Sequence, residues 1–130
     1  MVCEGGAQLE RFDEGDVPPD PPTDRFFELE ATTQYATSVA PFEIGNHLLD
    51  FFNERVQATL VKMRRPKFGI KADVFIDGLM CRTKVRVYSL DGCRFAIEFQ
   101  RRSGDAICYN GAYQKARRFL EQRLNMEAGD

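Results

Sequence analysis

The stretch that decides the fold is residues 68–100, which read FGIKADVFIDGLMCRTKVRVYSLDGCRFAIEFQ. Apolar and polar residues alternate in three successive runs, the pattern of strands with one packed face and one solvent-facing face. The runs are separated by Asp77-Gly78 and Asp91-Gly92, and an Asp-Gly pair is a strong signal for a β-hairpin. The pattern therefore predicts an antiparallel meander.

Helical patterns flank this meander on both sides. Apolar residues recur at helical spacing over residues 41–54, and Pro41 suits the first turn of a helix. Ser38 is the predicted N-cap of this helix because its hydroxyl could accept a bond from a free backbone N–H. Residues 106–123 predict a second helix, with apolar residues towards the core and basic residues largely outside.

Two further strands complete the predicted fold. Aromatic and β-branched residues predict one over residues 26–35, and alternation predicts another over residues 60–65. The order strand, helix, three or four antiparallel strands, helix indicates an α+β two-layer sandwich, a sheet of four or five strands with both helices on one face. We expect the following residues to be buried: Phe51, Val85, Phe95, Ile97, Phe99 and Phe119.

Charge divides the chain into unequal parts, although the formal net charge is only −2. Residues 1–24 hold seven acids against Arg11 alone, while the remaining residues hold 17 bases and 13 acids. The first segment is also rich in Gly and Pro, so we predict a disordered acidic tail, which could alternatively fold back onto the basic domain. The predicted domain spans residues 25–124, and residues 125–130 form a C-terminal tail.

The residue types that carry catalysis or bind metals form no recognisable site. The cysteines Cys3, Cys81, Cys93 and Cys108 include no CxxC pair, so we expect reduced, buried thiols rather than disulfides or zinc ligands. His47 is the only histidine, and no Cys–His, Ser–His or carboxylate pair is marked by a motif. We therefore expect no enzyme activity, no metal and no cofactor.

Membrane-spanning and secretory signals are also not found. No apolar run approaches the roughly 20 residues that span a bilayer, and residues 1–8 lack a basic and apolar leader. We expect a cytoplasmic location, with peripheral attachment to membranes or to the cytoskeleton.

The basic residues suggest what the domain binds. They fall into three groups: Lys62, Arg64, Arg65 and Lys67 where the sheet begins; Arg82, Lys84, Arg86 and Arg94 on the solvent-facing side of the meander; and Arg101, Arg102, Lys115, Arg117 and Arg118 around the closing turn and last helix. A base near an anionic membrane contributes about 1 kcal/mol, so several converging bases predict peripheral binding. Nucleic acid is not expected, because single-strand binding needs aromatics among the bases and only Tyr88 is on that side.

Three stretches are similar to a known module. They are Arg25-Phe26-Phe27 with Ala31-Thr32-Thr33, the strand Thr83-Lys-Val-Arg-Val-Tyr88, and Phe99-Gln-Arg-Arg-Ser-Gly-Asp-Ala-Ile-Cys-Tyr109 before a basic helix. In order and spacing, residues 25–124 resemble the kinase-associated-1 domain, the C-terminal regulatory module of microtubule-affinity-regulating and related protein kinases.

The resemblance implies a non-catalytic regulatory domain that binds anionic phospholipids. It also implies an alternative, a docking or autoinhibitory module for a protein kinase domain or a scaffold protein. The twelve residues expected to contact lipid or partner are Lys62, Arg64, Arg65, Lys67, Arg82, Lys84, Arg86, Arg101, Arg102, Lys115, Arg117 and Arg118.

Overall fold

A computed structural model describes residues 10–127 of the chain. Its elements are β1 (Thr33–Thr37), α1 (Pro41–Glu54), β2 (Gln57–Arg64), a 3₁₀ turn (Arg65–Lys67), β3 (Gly69–Ile76), β4 (Leu79–Ser89), β5 (Arg94–Gly104) and α2 (Ala106–Arg123). The strands form one antiparallel sheet in the order β1-β5-β4-β3-β2. The predicted α+β sandwich is confirmed. Within residues 10–127, no helix is both long and apolar enough to cross a membrane.

Both Asp-Gly signals lie in hairpin turns. Asp77 and Gly78 have φ values of 52° and 79°, the left-handed conformation that a two-residue turn between antiparallel strands requires. At the second turn, the backbone N–H of Arg94 donates to the carbonyl of Asp91 at 3.1 Å, and Gly92 has a φ of 59°. The turns bring β3, β4 and β5 side by side, as the alternation predicts.

The core lies between the two helices and one face of the sheet. All six residues predicted to be buried are buried, and both helices have the predicted bounds. The predicted Ser38 cap is wrong: Ala40 is the N-cap of α1 and makes no side-chain cap bond. Ser38 has a φ of 59° and turns the chain between β1 and α1, two residues too early to cap the helix.

The N-terminal arm (residues 10–32) follows a defined path over the domain, where residues up to 24 were expected to be disordered. Phe12 is only 3% exposed and stacks on Phe68, with 4.5 Å between ring centroids. The side chain of Asn46 bonds to both backbone groups of Phe12: it accepts from the Phe12 N–H at 2.7 Å and donates to the Phe12 carbonyl at 3.0 Å. One apolar anchor thus fixes a segment whose average composition is polar. Residues 1–9 lie outside the described part.

The arm then crosses the outer face of the sheet, the face opposite the helices. The carbonyl of Pro19 accepts from the Ser89 N–H at 2.8 Å, and the Phe27 ring meets Tyr88 edge-on at 5.9 Å. These contacts bury Tyr88 together with Ala96 and the Glu98 side chain. The expectation of a fully solvent-facing side is therefore wrong for this half, and regular pairing of the first strand begins only at Thr33.

The C-terminal segment also joins the fold. The carbonyl of Asn125 accepts from the Thr37 N–H at 3.0 Å, and the Glu127 N–H donates to the Tyr35 carbonyl at 2.8 Å. Residues 125–127, expected to be a tail, therefore pair with the free edge of β1. Residues 128–130 lie outside the described part.

Candidate anion-binding surface

The half of the outer face that the arm leaves open carries a row of lysines. Lys62 of β2 lies opposite Lys71 of β3, which lies opposite Lys84 of β4. Residues directly opposite each other on antiparallel strands share a face, with Cβ atoms about 5 Å apart. Three ammonium groups therefore stand side by side on one surface.

A second row beside the lysines forms a depression. Arg64 and Arg86 lie opposite Gly69 from its two neighbouring strands, and Gly69 contributes no side chain between them. Lys67 from the 3₁₀ turn completes the rim of a cavity of about 70 Å³, room for a small anionic group rather than for a large ligand. We call these six residues the basic cluster: Lys62, Arg64, Lys67, Lys71, Lys84 and Arg86.

The electrostatics of the cluster are those of uncompensated like charges. Partial burial lowers the pKa of Lys84, and the charges of Arg86, Arg102, Lys71 and Lys67 lower it further. Among residues 10–127, no carboxylate forms an ion pair with any of the six bases. A bound anion would relieve this repulsion.

The nearest acid by strand register is Glu98, opposite Arg86. Its carboxylate is buried, accepting from the Glu30 N–H at 3.0 Å and from Gln100 Nε2 at 3.1 Å. These bonds hold it under the arm at the border of the basic cluster. The carboxylate is thus engaged with the arm and with Gln100.

Three of the twelve predicted contact residues are already paired with acids: Arg65, Arg82 and, on α2, Arg117. Arg65 donates to Asp13 and Asp16 of the arm, and this hydrogen bond lowers the pKa of the Asp16 carboxyl. Arg82 donates two hydrogen bonds, of 2.7 and 3.0 Å, to the Asp73 carboxylate, and these bonds lower the pKa of that carboxyl too. The charges of Arg65 and Arg82 are therefore neutralised by acids of the same molecule.

The bases of the last helix lie on the other side of the molecule. Lys115, Arg117 and Arg118 belong to α2, which covers the opposite face of the sheet, and Arg117 pairs with Glu121 at 3.4 Å. A flat membrane that touches the basic cluster cannot also touch these three bases. The three groups of bases therefore do not form one surface.

The remaining predicted bases lie on β5, Arg94 at its start and Arg101 and Arg102 near its end. Arg102 donates to Gln100 Oε1 at 3.3 Å and is close enough to influence Lys84, so it extends the basic cluster. Arg101 donates to the Gly104 carbonyl at 2.9 Å and faces the other way in the strand. Arg94, on the covered half, pairs with Glu127.

Sequence reasoning missed Lys71, although a signal for it was present. Lys71 lies between Ile70 and Ala72, two buried residues of β3, so alternation alone would have placed it on the outer face. The omission came from grouping bases by proximity in the sequence rather than by strand register.

The three cysteines within residues 10–127 differ in exposure. Cys81 and Cys108 are buried free thiols, and burial raises the pKa of Cys81 to about 11. Cys93 is a free thiol but exposed, contrary to expectation, because it lies in the β4–β5 turn. Within residues 10–127, no three His, Cys, Asp or Glu side chains are grouped to hold a metal ion. Cys3 lies outside the described part.

Tyr88, the aromatic residue expected on the outer face, lies beneath the arm.

No protein-family model matches the chain, and no curated protein is significantly similar to it.

Proposed function

We propose that this domain is a non-catalytic targeting module that binds anionic phospholipid surfaces through the basic cluster. The observation that carries the proposal is the convergence of six bases from three strands and a turn, none paired with a described carboxylate. At about 1 kcal/mol per base near an anionic membrane, such a group supports reversible peripheral binding.

The form of the surface also favours a lipid headgroup. The cluster lies on an open sheet face around a shallow depression, so phosphate groups in a plane can reach several bases at once. The resemblance to kinase-associated-1 domains supports the same function. Such attachment would be fast and sensitive to salt, because exposed charges are screened over about 8 Å at physiological ionic strength.

One observation favours a second candidate, a protein-docking module. The arm shows that the domain surface accommodates an acidic segment with an aromatic anchor: Phe12 is buried while Asp13 and Asp16 meet Arg65. A kinase domain or scaffold protein with a similar segment could bind in the same way.

Charge reversal on opposite sides of the molecule tests the lipid proposal. Lys62→Glu/Lys71→Glu should abolish sedimentation with phosphatidylserine vesicles at moderate salt. Lys115→Glu/Arg118→Glu changes the net charge equally on the helix side and should retain most binding. Both pairs should leave thermal stability nearly unchanged, because exposed charges contribute little to folding. Equal binding by the two variants would overturn the basic-cluster mechanism.

A further inference from the structure

One end of the molecule exposes large apolar side chains. At the β3–β4 hairpin, Phe75, Leu79 and Met80 are 38%, 40% and 42% exposed, and Ile107 at the start of α2 is 76% exposed. Phe75 and Met80 lie directly opposite each other on the outer face. We call these four residues the apolar end.

The strand and helix parts of the apolar end are held together by hydrogen bonds to the backbone carbonyls of Leu79 and Met80. The N–H of Asp105, the N-cap of α2, donates to the Met80 carbonyl at 2.9 Å. Cys108 Sγ donates to the Leu79 carbonyl at 3.5 Å. The hairpin and the first turn of α2 therefore form one fixed surface.

Phe75 and Met80 of the apolar end continue the face that carries the basic cluster, whereas Leu79 and Ile107 lie at the same end on the helix side. Phe75 is four residues beyond Lys71 on β3, about 13 Å at roughly 3.3 Å per residue. Between them lies the Asp73–Arg82 pair, whose charges cancel. Arg101 bonds to the Gly104 carbonyl close to Met80, which places a base beside the apolar end.

We infer that the apolar end inserts into the interfacial layer of an anionic bilayer while the basic cluster rests on the headgroups; this inference rests on the proposed function. Apolar side chains grouped at one end of a molecule and rimmed by polar residues are a feature of protein–protein and membrane interaction sites. At a membrane interface, the apolar face of a bound element is buried about 5–10 Å into the boundary between headgroups and acyl chains, while its basic residues stay at the headgroups. Charge complementarity therefore favours lipid over a second copy of this chain, which would bring like charges together.

The hairpin turn contains an acid that opposes insertion. Asp77 is exposed, and its approach to an anionic surface is unfavourable. Its φ of 52° is one that Asn adopts at least as readily as Asp, so Asp77→Asn removes the charge without straining the turn. This variant should bind phosphatidylserine vesicles several-fold more tightly.

Insertion can be observed directly because the chain has no tryptophan. Phe75→Trp, mixed with phosphatidylserine vesicles, should show a blue-shifted emission that lipids brominated in their acyl chains quench. Gln122→Trp is the control: it lies near the far end of α2, about 22 Å along the helix from Ile107 at roughly 1.5 Å per residue. Its emission should not change.

A double variant separates insertion from charge. Phe75→Ser/Met80→Ser should lower vesicle affinity about tenfold, chiefly in the binding that survives raised salt, equivalent to about 1.4 kcal/mol. Vesicle binding without quenching of Phe75→Trp would overturn the insertion and leave the proposed function standing. A blue shift that depends on protein concentration without vesicles would also overturn it, since the apolar end would then join two copies. No vesicle binding by the unsubstituted protein would refute the proposed function itself.

Discussion

The two halves of the outer sheet face have the same strand alternation but opposite exposure. Along β4, Tyr88 is buried beneath the arm whereas Lys84 and Arg86 line an open depression. The arm covers the half that contains the aromatic ring and the buried Glu98, and leaves the half that contains unpaired bases. The comparison teaches that a chain can cover its own sheet face selectively. Here the arm buries the apolar and acidic part of the face and leaves the cationic part exposed.

Removing the arm's anchor should most strongly disturb the covered half. Phe12→Ala deletes an almost fully buried ring and should lower the free energy of unfolding by about 3 kcal/mol. Denaturant titration measures the loss, and amide exchange should rise across residues 13–30. Unchanged protection there would mean that the arm is held by its other contacts.

A matched pair of glycines sharpens this test. A Cβ on Gly45 would overlap the Phe12 ring, so Gly45→Ala should destabilise by about 1–3 kcal/mol despite the better helix propensity of Ala. A Cβ on Gly111 would lie 3.6 Å from Ile76 Cδ1, an ordinary contact, so Gly111→Ala should stabilise α2 slightly. Opposite signs in thermal unfolding would confirm that the arm occupies the space beside Gly45.

In the open half, a substitution that stabilises the fold should weaken vesicle binding. Folding lowers the pKa of Lys84, first through burial and then through neighbouring bases, so its charged form is disfavoured in the folded state. Lys84→Met should therefore raise the free energy of unfolding by up to about 1 kcal/mol while weakening vesicle binding. Because the folded pKa is below the usual 10.5, this gain should shrink as pH rises towards that value. A less stable variant would contradict the electrostatic account.

The ionic end of the arm should give the smallest effect. Arg65 lowers the pKa of Asp16 below its usual 3.8, so the carboxylate stabilises the fold above that pH and loses its contribution as pH falls through the lowered value. Asp16→Asn should cost a few tenths of a kcal/mol near neutrality. The difference from the unsubstituted protein should vanish in strong acid, and a difference that persists there would indicate a non-ionic cause.

Local periodicity was enough to predict the meander and both helices. The alternation through Phe95, Ile97 and Phe99 determines which face packs, and the Asp-Gly turns locate the hairpins. Placing both helices on one face also implies that the bases of α2 lie opposite those of the meander, a consequence that grouping by sequence overlooked.

The path of the arm was not predictable by the same means. It depends on one ring, Phe12, which packs against Gly45, where no Cβ is in the way, while the Phe12 backbone bonds to the side chain of Asn46. Both residues are more than thirty positions away in the sequence. The average composition of the arm is polar, so it does not reveal that a single apolar residue is buried. The pairing of Arg65 and Arg82 with acids likewise depends on neighbours across space, so their neutralisation could not be deduced from charge runs.

The most direct test of the central claim, that the open half of the outer face binds anionic lipid, is a residue-by-residue map of membrane proximity. Vesicles that contain phosphatidylserine and a nitroxide-labelled lipid headgroup should broaden the amide resonances around Lys62, Lys71 and Lys84. Those around Lys115 and Arg118 on the helix side should remain sharp. Broadening centred on α2, or spread evenly over the domain, would contradict the account.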